Sequence, residues 1–293
     1  MQNSNLTAGH QMKSKDVKWL YVEASSKCNA WCPACARNQS GYGLIPGLIE
    51  QDLSTDRFKD VLEHLPHLSM IQFGGNYGDP AIAHNFLDLL DVAKKQTDKI
   101  QIHTNGSLRN TKWWSELAVF LSDIDHDVWF GLDGLAGVHE IYRQGTNYQK
   151  IIDNASAFIQ TGGFATWQFV PYAHNEHQVK DCIRTSQNLG FKKFKLVKLY
   201  RNKQVAFHYQ TGKEFPLLPP KEFQHLLRMP KTNTTVESNN CMHQSLSSIY
   251  LAANGSLSSC CYFSEIDKFD TVEDLLRIKK DYTHQTCLES CGS

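Results

Sequence analysis

Apolar positions along the first two-thirds of the chain alternate between short buried runs and helical spacing. "VKWLYVEA" (17–24) reads as a first strand. After it, Phe58, Val61, Leu62 and Leu65 recur on one helical face, with Ser54 placed to cap. "LSMIQFGG" (68–75) predicts a second strand ending in glycines, and "HNFLDLLDVAKK" a second helix. "KIQIHTNG" (99–106) is a third strand, followed by a helix around "WWSELAVFL". "DVWFGLDG" (127–134) predicts a fourth, with its helix at Tyr148–Ile159. "FATWQFVPY" (164–172) is a fifth, and the helix through Val179, Cys182, Ile183 and Leu189 is closed by Gly190. "KFKLVKLY" (193–200) is a sixth.

Six such units require parallel strands joined by right-handed crossovers. A closed barrel has eight. The expected fold class is therefore α/β, a partial (β/α)6 TIM-type barrel at 16–204 behind a loose tail at 1–15. Residues 205–240 break the rhythm with four prolines and many polar residues. They lead into a smaller Cys-rich module, so 205–293 is expected to form a second domain.

Composition adds mainly exclusions. The 293 residues are 41% hydrophobic, and thirty basic residues balance thirty acidic ones. No global field draws the chain to nucleic acid or a membrane surface. No apolar run approaches the ~20 residues of a membrane span, and the N-terminus carries no signal-like apolar core. A cytoplasmic protein is expected. Nine cysteines are odd in number and unevenly placed. Cys28, Cys32 and Cys35 stand near the front, and Cys241, Cys260, Cys261, Cys287 and Cys291 near the end. Cys182 lies alone on an apolar helix face, which suits a core residue. Two clusters in a large chain suggest metal sites rather than a disulfide framework.

"SSKCNAWCPACARN" (25–38) places Cys28, Cys32 and Cys35 in a C-x3-C-x2-C pattern on the loop after the first strand. That is the barrel end where such folds place their chemistry. A closed zinc site takes four ligands, so a distant histidine would have to complete one. A [4Fe–4S] cluster held by three thiolates keeps one iron open. Fainter features stand beside it. Lys192, Lys193, Lys195, Lys198, Arg201 and Lys203 suit either a protected sheet edge or an anionic substrate. "HNEH" (174–177) lacks the spacing that puts two histidines on one helical face, and reads as a polar loop. Tyr77 and Tyr172, past strand ends, suit either a substrate cavity or ordinary loops.

The cysteine pattern and its companions resemble the radical S-adenosylmethionine (SAM) enzymes. "FGGNYGDP" (73–80) is similar to that family's Gly-Gly-Glu motif, with Asn76 where glutamate is usual. "HTNG" (103–106) resembles its third-strand end, and "FGLDG" with "HEIYRQG" (130–145) its fourth-strand signature, with Gly131 in place of serine. The resemblance implies a cluster on Cys28, Cys32 and Cys35 whose open iron binds SAM. It assigns SAM contacts to Gly74, Gly75, Asn76, Asn105, Gly131, Asp133 and Arg143, with Arg143 on the SAM carboxylate.

The spacing Cys241-x13-Gly255-x4-Cys260, with Asn254-Gly255 between two β-like runs, predicts a hairpin. It resembles the opening of the SPASM and twitch modules attached to many such enzymes. With Cys287 and Cys291 it implies one auxiliary [4Fe–4S] cluster in a twitch-like α+β domain; a zinc ribbon is the alternative. Cys261 is surplus, either a small buried residue or a thiol that returns a hydrogen atom to a substrate radical.

The implied activity is a radical SAM oxidoreductase-type reaction, oxidation or epimerisation of a small metabolite. An external electron donor such as flavodoxin or ferredoxin would reduce the cluster. A peptide substrate is the next reading, weakened by the 27 residues before Cys28, too few for a leader-binding domain. RNA is disfavoured by the neutral charge. The reading of another class is a non-catalytic zinc-binding interaction protein.

Overall fold

The computed structural model describes residues 13–197, 205–226, 247–261 and 268–277. Six parallel strands follow one another in the sheet: β1 (Trp19–Glu23), β2 (Met70–Gly74), β3 (Lys99–Thr104), β4 (Asp125–Gly131), β5 (Ala165–Phe169) and β6 (Lys193–Leu196). Between them run α1 (Thr55–Glu63), α2 (Phe86–Lys94), α3 (Thr111–Phe120), α4 (His139–Tyr142), α5 (Tyr148–Gln160) and α6 (Val179–Asn188). The expected partial barrel is present.

Local chemistry accounts for the element ends. Ser54 accepts the Arg57 amide at the start of α1, and Asn110 and Asn147 cap α3 and α5 in the same way. Gly190 ends the α6 turn at φ +87°, a conformation that costs glycine little.

The sheet has two unlike faces. Leu20, Phe73, Ile102, Val128, Phe130 and Trp167 point to the helices and are fully buried in one apolar core. Trp114 of α3 packs on Phe130 and Phe158 there. Each fully buried side chain of this size contributes about 1.5–3 kcal/mol. The alternate positions face the barrel interior and are mostly polar.

The C-terminal segment departs from the expected partition. The Asn254-Gly255 hairpin forms as predicted, from β9 (Ser248–Leu251) and β10 (Leu257–Ser258). Yet β9 pairs in parallel with β1, Trp19 opposite Ser248 and Val22 opposite Leu251, so the hairpin extends the barrel sheet to eight strands. The physical reason lies in the incomplete barrel, whose β1 edge offers unpaired backbone groups that another strand can take up. Ile249, Leu251 and Leu257 join the barrel core, as do Val272 and Leu275 of α7 (Val272–Arg277). Residues 205–218 also turn back onto the barrel, as β7 (Val205–Phe207) and β8 (Glu214–Pro216). Cys241, Cys287, Cys291, Lys198, Arg201 and Lys203 lie outside the described residues.

Candidate active site

The cysteine loop leaves β1 at Glu23 and is knitted to itself before it reaches α1. Ser26 and Leu53 donate backbone amides to Gln51 and Ala24, both at 2.9 Å. Buried Arg37 donates Nη1 to the Ser26 carbonyl at 2.6 Å and Nη2 to Glu50. These bonds give an irregular loop the rigidity that a helix or strand would otherwise supply.

Three thiols share this loop, each beside a different neighbour. The Cys28 Sγ receives the Ala30 amide at 3.4 Å and the Asn105 Nδ2 at 3.6 Å. The Cys32 Sγ lies 3.9 Å from Arg143 Nη1, and the Cys35 Sγ 3.7 Å from the Asn76 carbonyl. Burial pushes the Cys28 thiol up, reinforced by Asp79 and Cys32. It takes Cys32 to about 12, against the pull of the Arg143 charge. Among the described residues, no three His, Cys, Asp or Glu side chains converge as ligands of a single metal ion.

The end of β2 lies flat on this loop. A Cβ on Gly78 would stand 1.7 Å from the Ser25 carbonyl oxygen, so only glycine permits the approach. Glu23 occupies the space beside Gly75, where an added Cβ would meet its Oε1 at 2.6 Å. That oxygen accepts the Tyr77 amide at 2.7 Å and the Gly78 amide at 3.3 Å. Burial raises the Glu23 carboxyl despite these bonds. The Asn76 amide points toward the C-terminal hairpin, donating to the Cys261 carbonyl at 2.6 Å. The residue that replaces the usual glutamate thus ties the β2 loop to Cys261.

Asp79 clamps the end of β3. Its carboxylate accepts the Asn105 amide at 2.6 Å, the Thr104 hydroxyl at 2.9 Å and the Ala81 amide at 3.0 Å. Asn105 then bridges to the cysteine loop through Asn29 Oδ1 at 2.9 Å.

At the end of β4, Arg143 Nε donates to Asp133 Oδ2 at 2.6 Å. Asp133 is fully buried and also accepts the Val170 amide at 2.6 Å. Asp133 therefore holds Arg143 in place. Gly131 also acquires a cause, because a Cβ there would come within 2.8 Å of Arg143 Nη2. His139 Nδ1 accepts the Asp133 amide at 3.2 Å, and burial drops its imidazole to about 3.

A cover lies over the thiols. The β7–β8 hairpin packs Ala206, Phe215 and Leu217 with Cys32, Tyr142 and Tyr172 in a second apolar cluster. Gln144 Nε2 donates to the Phe207 carbonyl at 3.1 Å, and Trp31 stacks on Tyr209. Tyr172 is packed against Tyr142 with ring centroids 4.8 Å apart. "HNEH" is a polar loop that enters a short 3-10 helix at Glu176–Gln178, Asn175 donating to the Asp133 and Val170 carbonyls, both at 3.0 Å. Lys193 reaches Asp127 at 3.2 Å, while Lys192 and Lys195 are exposed. Cys182 is core, as expected. Cys260 is buried beside β10.

Glu23, Asp79 and the β7–β8 cover escaped the sequence reading. A carboxylate ending an apolar strand was the available sign for Glu23; Asp79 stood inside the "FGGNYGDP" motif without a role of its own. Nothing in the sequence linked 205–218 to the cysteines.

The chain is similar to radical SAM enzymes in fold as well as in motif. anSMEcpe, solved with AdoMet and the Cp18Cys peptide, superimposes with a TM-score of 0.60 at 18% identity, over 93% of this chain and 81% of that one. Streptococcus suis SuiB, solved with its precursor peptide SuiA, gives a TM-score of 0.60 at 13% identity, over 91% of this chain and 65% of that one. In sequence, 132 residues are 32% identical to the tungsten-containing aldehyde ferredoxin oxidoreductase cofactor-modifying protein of Pyrococcus furiosus. That match takes in 44% of this chain and spans about a third, 34%, of that relative. No family model matches the chain. None of the described helices is long and apolar enough to cross a membrane.

Proposed function

We propose that this chain is a radical SAM enzyme, with a [4Fe–4S] cluster held by Cys28, Cys32 and Cys35 and one iron left for SAM. The observation that carries this is the meeting of three thiols, Cys32 buried and Cys28 and Cys35 partly buried, with Asn105 just past β3 and with Arg143 at the end of α4. The donor set suits a cluster better than one ion. Cluster ligands attach one per iron and stand apart, whereas a single zinc ion draws its ligands into one shell. N–H groups aimed at the Cys28 and Cys32 sulfurs favour their thiolate form, which metal binding requires.

When bound, the cluster and SAM would supply a 5′-deoxyadenosyl radical able to take a hydrogen atom from a substrate C–H bond. The chain's own part is orientation. Arg143, steered by Asp133, has its Nη edge for a carboxylate. With its side chain engaged by Cys261, Asn76 contributes through the backbone of the Gly74–Asn76 edge, which suits an amino group. The β7–β8 cover packs on Cys32 and keeps water from that thiol. Cys260 with Cys241, Cys287 and Cys291 would hold the auxiliary cluster, and Cys261 stands as a hydrogen donor.

The substrate reading is a small polar molecule, oxidised or epimerised at carbon, with electrons from an external flavodoxin- or ferredoxin-type donor. A peptide substrate is the second reading, favoured by the peptides bound to anSMEcpe and SuiB.

Iron, labile sulfide and zinc counted on one anaerobically reconstituted sample test the proposal. About eight irons per chain support both clusters. About four, lost in the Cys28→Ala/Cys32→Ala/Cys35→Ala variant, support the first alone. Zinc with negligible iron after reconstitution overturns it in favour of a zinc-binding protein. Reduced holoprotein should also form 5′-deoxyadenosine from SAM.

A further inference from the structure

A closed (β/α) barrel fills its interior with branched apolar side chains. Here the inward positions of β1 to β5 include Tyr21, Gln72, Gln101, His103, Trp129 and Gln168, all partly exposed. The Tyr21 hydroxyl and the His103 Cβ both lie over Gly74, which places them on one face. This lining is polar enough that a packed core does not explain it.

Within it, His103 and Trp129 stack with centroids 4.7 Å apart and planes 23° apart. The His103 Nε2 and the Trp129 Nε1 are buried, and neither has a hydrogen-bond partner among the described residues. Buried polar atoms are seldom left so, and two on adjoining rings call for a common ligand. Burial lowers the His103 imidazole to about 4, with Asp127 and Gln168 acting weakly against it, so the ring is neutral at pH 7. The indole only donates, whereas a neutral imidazole nitrogen accepts in one of its tautomers.

We propose that His103 and Trp129 form a hydroxyl-reading subsite for a polyhydroxylated small-molecule substrate. The Trp129 Nε1–H donates to a substrate hydroxyl oxygen, and that hydroxyl donates to His103 Nε2. One oxygen serves both rings. The proposal rests on the radical SAM reading for the place of the substrate.

The test uses reconstituted full-length protein carrying ¹⁵N-labelled tryptophan, with the Trp129 indole resonance assigned through Trp129→Phe. The probes are myo-inositol and trialanine. The Trp129 N–H resonance should shift saturably with myo-inositol and stay fixed with trialanine. His103→Phe, which keeps a ring on Trp129, should weaken the inositol response at least tenfold, and His103→Gln should restore part of it. No shift with inositol, an undiminished response in His103→Phe, or a response to trialanine alone would overturn the subsite. Iron counted on the same sample separates the two claims: an inositol response without iron removes the radical reading and leaves the subsite.

Discussion

Gly131 ends β4 with its Cα against the guanidinium of Arg143, so close that a methyl group would lie 2.8 Å from Nη2 and 2.9 Å from Cζ. The backbone of Gly131 is not in the left-handed region, so alanine there is strained only by this contact. Gly131→Ala should leave the fold intact and displace the arginine. A charged hydrogen bond contributes about 1.5–3 kcal/mol. SAM affinity of the reconstituted protein, measured by equilibrium dialysis, should therefore fall by roughly tenfold or more, with an unchanged circular dichroism spectrum.

Asp133 has the opposite signature. It is fully buried and holds Arg143 at 2.6 Å. Removing one partner of a buried pair costs about 3–5 kcal/mol because the other charge is stranded. Asp133→Ala should lower the unfolding free energy obtained from a urea titration by an amount in that range, whereas Asp133→Asn, which still accepts from Val170, should lose less.

Gly78 decides whether the β2 loop can lie on the cysteine loop, since its Cβ would stand 1.7 Å from the Ser25 oxygen and 2.8 Å from the Lys27 oxygen. Both contacts are backbone, and neither can swing aside. Gly78→Ala should reduce iron incorporation to less than half of wild type. Wild-type iron content in this variant would show that the loop contact is dispensable.

Gly41 combines φ +108° with an approach of 2.4 Å between its Cβ and the Phe207 oxygen of the cover. Gly41→Ala should lift the β7–β8 hairpin. The visible absorbance of the reconstituted cluster should then bleach several-fold faster in air than in wild type.

Acid sensitivity should begin above the carboxylate range. Burial lowers His139 to about 3 and His174 to about 4, so both are neutral in the folded state. The unfolded chain takes up these protons near pH 6.5 and the folded chain does not. Stability carried by the two histidines is thus fully present above pH 6.5. It is lost as pH falls from 6.5 toward 4. The melting temperature should fall between pH 7 and pH 5, with a shallower slope in His139→Gln. A flat profile over that interval would contradict the buried neutral imidazoles.

Local patterns along the chain determined a great deal. Strand alternation and helical spacing carry only short-range information, which sufficed for six βα units, the Ser54 cap, the Gly190 stop and the Asn254-Gly255 hairpin. Cys28, Cys32, Cys35, Asn105 and Arg143 were legible because each sits in a compact motif on the segment that follows a strand. The tertiary structure alone decided what depends on partners distant in the chain. β9 pairs with β1 across more than two hundred residues because an open barrel edge needs a strand, and periodicity does not name which strand. Asn76 meets the Cys261 carbonyl, Glu23 fills the space beside Gly75, and Gly131 yields to Arg143 for the same reason. A side chain's identity is written locally, but its role is set by the neighbour that folding brings to it.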